Sequence, residues 1–220
     1  MRVLKLSLLF TLSLFFGAVV ASNFMGGEEA DASEGVLLTT KNHVQLVGGI
    51  NPYTISVAMK DLAFRRANYS GTIYLVIDSP GGRIDSGMNF LAFAKHIPNV
   101  KTLTLEGASM AHAIAQAMPG ERLATEYTTM MAHRARGSVS GQFESGELEQ
   151  RLAMWKKIVR KMEQTNADRM QISLDEYKKR VKDEWWSFGQ DLIKDNMVDR
   201  IVPVKCSALL VEKDRCPLIR

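Results

Sequence analysis

Ser109 lies in Gly107-Ala108-Ser109-Met110-Ala111, between the extended run Leu103-Thr104-Leu105 and an alanine-rich segment. A hydroxyl at such a junction stands at a helix N-terminus, where backbone N–H groups point outward and the dipole favours developing negative charge. Acyl transfer to serine also needs a base within reach, a group that orients the base, and donors for the oxyanion. His133 closes Thr129-Met130-Met131-Ala132, 24 positions after the serine. Ser79-Pro80-Gly81-Gly82 follows an apolar run, and its two glycines can take positive φ and aim N–H groups at an anion. Taken alone, Gly-Ala-Ser-Met-Ala reads as a serine helix cap. The three segments together suit a nucleophile, a base and an anion cradle.

These residues need a frame that brings strand ends together. His43 to Val47 alternates and ends at Gly48-Gly49, which suits a strand, and Pro52 to Arg66 is a helix. Ile73 to Ile77 has the branched and aromatic character of a buried parallel strand. A helix over Ile84 to His96, stopped by Pro98, a strand Thr102–Leu105, a helix Met110–Met118 and a strand Thr128–Ala132 continue the alternation. Such alternation implies α/β architecture with crossover connections, in which the ends of neighbouring strands converge on one crevice. Glu144 then opens a helical pattern to about Met170 with an apolar seam of Leu148, Leu152, Trp155, Val159 and Met162. A short helix over 173–182 carries Ser173 as its cap. The chain closes with Asp183 to Ser187, a further helix to about Lys194, and a strand over 197–202.

In this order and at these separations, Asp78-Ser-Pro-Gly-Gly82, Gly107-Ala-Ser-Met-Ala111 and Met130-Met-Ala-His133 resemble the Clp-type proteolytic subunits. The likeness runs from about Asn42 to Val202. It implies the ClpP/crotonase-like fold of repeated β-β-α and βαβ units with a protruding strand-plus-helix handle, here about residues 137–170. It makes Ser109 the nucleophile and His133 the general base, with the N–H groups of Gly82 and Met110 as the oxyanion hole. The family's third member, an aspartate before an aromatic pair, falls on Asp183, with Glu184 and Asp175 as competitors. The chain departs from the pattern by one extra residue between Ser187 and Val198 and by Asn196 where a glycine is usual. His112, where a small residue is usual, is expected to line the site or to be a hydrogen-bonded core group, the alternative being that it perturbs or replaces the base. His43 and His96 read as strand-edge or solvent-facing imidazoles, Asp78 as a cap for the loop amides, and Trp185-Trp186 as core or interface.

Arg2 and Lys5 precede the apolar run Leu6–Val20 and then Ala21-Ser22, the pattern of a secretory signal peptide over 1–21, cleaved after Ala21. An uncleaved anchor, with membrane proximity, is the alternative. Residues 22–40 read as a flexible leader, 41–204 as the peptidase domain and 205–220 as a tail holding Cys206 and Cys216. In an exported, periplasmic protein those cysteines are expected to pair. Removing Arg2 and Lys5 from the 28 basic residues leaves 26 against 24 acidic ones, so no electrostatic case for nucleic acid survives. No metal-ligand cluster or phosphate loop is visible, and no cofactor is expected. The leading expectation is a serine endopeptidase acting on peptides or unfolded protein in a homo-oligomeric ring, without a cytoplasmic ATPase partner. A non-catalytic scaffold of the same fold and a crotonase-type acyl-CoA enzyme are the other two readings.

Overall fold

The computed structural model describes residues 35–137, 141–144 and 146–219. The expected signal peptide over 1–21 and most of the expected leader over 22–40 therefore lie outside the described residues. The main sheet has six strands. Its path runs β2 (His43–Val47), β3 (Ile73–Ser79), β4 (Val100–Ala108), β5 (Arg122–His133) and β6 (Glu184–Phe188), and β7 (Arg200–Ile201) pairs with the start of β5. Strands β2 to β5 are parallel, β7 is parallel to β5, and β6 is antiparallel to it. The crossovers are α1 (Pro52–Asn68), α2 (Ile84–Ala94) and α3 (Met110–Ala117), followed by α4 (Glu147–Arg169), α5 (Leu174–Arg180) and α6 (Asp191–Lys194).

Strand period explains why β3 is apolar almost throughout. Ile73, Leu75 and Ile77 belong to one core with Phe90, Ile114 and Leu62 of the helices. Tyr74 and Val76 face the other side, joining Leu103, Leu123 and Val202 in a second core. That second core is covered by a two-stranded parallel sheet of β1 (Val36–Leu38) and β8 (Val204–Cys206), with α7 (Ala208–Glu212) beside it. Cys206 and Cys216 form a disulfide, as expected.

Several boundaries differ from the sequence expectation for physical reasons. Val36–Leu38, read as leader, is a strand, because its partner lies at the far end of the chain. The expected strand over 197–202 shrinks to Arg200–Ile201, the two residues in ladder register with β5, flanked by the bonds from Asp199 N–H to the Arg122 carbonyl and from Val202 N–H to the Ala124 carbonyl. The long helix begins at Glu147, and its N-terminal half stands clear of the body, with Leu148 and Leu152 each 45% exposed. The described residues 134–137 and 141–144, where the expected handle would have its extended part, contain no strand.

Candidate active site

The parallel register of β3, β4 and β5 sets the site. Ser79 lies beside Gly107, and Gly107 and Ala108 beside Met130 and Met131. The three strands end together, so Gly81-Gly82, Ser109 and His133 are delivered to one crevice at their C-terminal ends. Ser109 has φ 57° and ψ −118°, a conformation that a non-glycine residue rarely adopts. Its N–H donates to the Met131 carbonyl at 2.8 Å, tying the bend to β5, and α3 starts at the next residue. Ser109 is the residue before α3, as the cap reading requires, but its side chain makes no capping bond. Ser109 Oγ and His133 Nε2 are instead 2.7 Å apart.

The glycine turn is built to approach this bend closely. Gly81 has φ +92°, and a Cβ there would fall 2.5 Å from the Ala108 carbonyl and 2.7 Å from Ser109 Cβ. Gly82 bridges Ile50 through its neighbours: Ile50 N–H donates to the Gly81 carbonyl and Arg83 N–H to the Ile50 carbonyl, each at 2.8 Å. In a parallel bridge of that pattern the N–H of Gly82 itself faces the opposite way, and Gly82 lines the pocket with Ser109 and Met110. Ser79 Oγ accepts from Gly81 N–H at 3.1 Å and donates to the Gly48 carbonyl at 2.6 Å, so this serine ties the glycine turn to the end of β2.

His133 has its pKa lowered, first by burial and then by the Arg136 guanidinium, with Glu184 opposing, so the imidazole is a neutral base near pH 7. Its Nδ1 is buried without a hydrogen-bond partner. Asp183 is exposed and lies just before β6, and the structure does not bring it onto that nitrogen. Asp175 is exposed in the first turn of α5. The carboxylate directly opposite His133 in the antiparallel register is Glu184. Directly opposite residues share a sheet face, and Asp183 sits in the bend just before the strand, outside the ladder. Glu184 accepts from Trp186 Nε1 at 2.9 Å and pairs with Arg136 at 3.6 Å.

His112 is neither a pocket-lining residue nor a satisfied core group. It is 1% exposed, both ring nitrogens lack partners, and burial pushes its pKa down to about 3. The first turn of α3 aims it into the core rather than along the crevice. His43 sits at the start of β2, where its Nδ1 is 2.6 Å from the Thr39 carbonyl. Three polar lining residues escaped sequence reading, Arg136, Asn166 and Tyr177. In sequence an asparagine within a charged helix looks solvent-facing. Only the packing of α4 against α3 and α5 shows otherwise.

A model of the Clp protease family matches residues 26–205. The ATP-dependent Clp protease proteolytic subunit of Borreliella afzelii is 28% identical over 164 residues, covering 71% of this chain and 81% of the relative. Proteolytic subunit 1 of Borreliella burgdorferi is 28% identical over 164 residues, with 71% and 82% covered. Proteolytic subunit 2 of Cutibacterium acnes is 30% identical over 132 residues, with 59% and 61% covered.

Proposed function

Because this chain belongs to the Clp protease family, a family of peptidases, we propose that it is an exported serine endopeptidase that cleaves peptides or unfolded protein through an acyl-enzyme on Ser109. The observation that carries this reading is the 2.7 Å approach of Ser109 Oγ to His133 Nε2 beside a glycine turn. Ser109 Oγ attacks the scissile carbonyl carbon while its proton passes to Nε2 of neutral His133. The carbonyl electron pair moves onto oxygen, which takes hydrogen bonds from the N–H groups of Gly82 and Met110. Collapse of the tetrahedral species breaks the C–N bond, and His133 gives the proton to the departing amine. A water deprotonated by the same imidazole then releases the acid and restores Ser109.

Glu184, across the strand pair, is the carboxylate suited to orient His133 through Nδ1, in place of Asp183. A homo-oligomeric ring joined through the exposed half of α4 is the assembly in which this site would work. An exported location, periplasmic with the signal segment removed, would separate it from cytoplasmic ATPases. The orphaned Nδ1 favours one rival reading, a scaffold whose site has lost catalysis. Labelling with a fluorophosphonate distinguishes the two. The native protein should react at Ser109, and Ser109→Ala and His133→Ala should not. Equal labelling of all three, or of none, rejects the peptidase reading.

A further inference from the structure

The crevice beside Ser109 encloses about 190 Å³. That is below the roughly 300–1,000 Å³ of small-molecule sites and on the scale of a single side chain. Because Ser109, His133, Gly82 and Met110 all line it, an acyl group bonded to Ser109 Oγ would place the substituent of its α-carbon there. Its apolar walls include Ile84, Met110, Ala113 and Met162, and Arg136, whose guanidinium is already paired with Glu184, also borders it. Asn166 and Tyr177 also line it, and they are only 2% and 3% exposed.

This polar pair has unused hydrogen-bonding capacity. Asn166 Nδ2 donates to Tyr177 Oη at 2.9 Å, while Asn166 Oδ1 is buried with no partner. Burial pushes the Tyr177 phenol up to about 12, so it stays protonated. Having accepted from Asn166, its oxygen still carries a hydrogen to give. In α4 only Asn166 and Ala167 are buried, so a polar residue has been placed where an apolar one would pack without an orphaned atom.

Resting on the reading of Ser109 as nucleophile, we propose that this pocket selects substrates with a primary carboxamide, glutamine foremost, on the acyl side of the cleaved bond. Asn166 Oδ1 accepts from the amide NH2, Tyr177 Oη–H donates to the amide carbonyl, and the four apolar residues hold the methylene stem. Turning the Asn166 amide over exchanges acceptor for donor, and a carboxamide, which carries both, pairs with either orientation.

The test uses peptide phosphonate esters identical except for the group corresponding to that residue: glutamine, its apolar near-isostere methionine, and glutamate. The rate of covalent labelling is read on the native protein. The glutamine probe should label about tenfold faster than the methionine probe, the increment of one or two net hydrogen bonds, and the glutamate probe should be slowest. In Tyr177→Phe and Asn166→Leu the glutamine-to-methionine ratio should fall to unity or below. That ratio is taken within one protein, so a general loss of fold or reactivity cancels from it. Equal rates for the glutamine and methionine probes on the native protein, or a glutamine preference that survives in both variants, overturns the proposal. A side-chain-free fluorophosphonate reports separately on Ser109. If it labels while the preference is absent, only the specificity proposal fails; if it does not label, the underlying reading falls too.

Discussion

Replacing Glu184 by glutamine removes the one carboxylate that faces His133 across β5 and β6. Directly opposite residues in an antiparallel pair have Cβ atoms about 5 Å apart. At that separation and an effective dielectric of about 20, unit charges interact by roughly 3 kcal/mol. The Glu184 side chain is 43% exposed, and Arg136 stands 3.6 Å from it. Solvent screening and this competing cation reduce the effect on an imidazolium to about 1.5 kcal/mol, slightly more than tenfold in rate. The assay is the pH dependence of fluorophosphonate labelling, whose acid limb reports His133 losing its neutral form. Glu184 raises the His133 pKa and Arg136 lowers it. Glu184→Gln should therefore label about tenfold more slowly and move the acid limb to lower pH. Arg136→Ala should move it to higher pH, and Asp183→Asn should leave it in place. An unchanged rate and limb in Glu184→Gln, with the loss appearing in Asp183→Asn, would refute the strand-register reasoning.

Two further outcomes follow from the buried groups. The folded pKa of His112 is about 3 against an ordinary 6.5, so the unfolded chain takes up the proton first as pH falls. His112 thus costs stability progressively from pH 6.5 down toward pH 3, by at most about 1.4 kcal/mol per unit. His112→Leu should flatten the fall of the urea midpoint over that range, and an unchanged slope contradicts the burial argument. Cys206 and Cys216 close a loop with a sequence separation of 10. Loop entropy assigns the bond about 3 kcal/mol. A Cys206→Ser, Cys216→Ser protein should unfold at correspondingly lower denaturant, and an unshifted midpoint would show that the tail's packing alone holds it.

What could be read in the sequence, and what could not, divides along the range of the interactions. β2, β3 and α1 to α3 were legible because each is specified by its own period, and because parallel strands buried on both faces are apolar throughout. The meeting of Ser109 with His133 was legible because parallel topology brings successive strand ends together. The orienting carboxylate was not. Choosing between Asp183 and Glu184 turns on where β6 begins: Glu184 is its first residue and pairs with His133, while Asp183 stays in the bend before it. β1 was hidden because its partner is Val204–Cys206, and nothing near Val36 announces a strand. Asn166 was hidden because a helix with polar neighbours gives no sign that its last turns are buried. The strained φ of Ser109 is likewise a property of the β4-to-α3 bend, invisible in a residue type that suits a helix cap.

That bend carries a liability. A serine held at φ 57° and ψ −118° stores on the order of 1–3 kcal/mol that a glycine would not. The nucleophile is therefore a weak point of the fold, kept strained by the packing of Gly81 beneath it and by the bond from its own N–H to Met131. A library of variants sorted only for resistance to heat or denaturant would enrich Ser109→Gly and discard the hydroxyl with it. In this protein, thermal robustness and chemical competence pull the same backbone position in opposite directions.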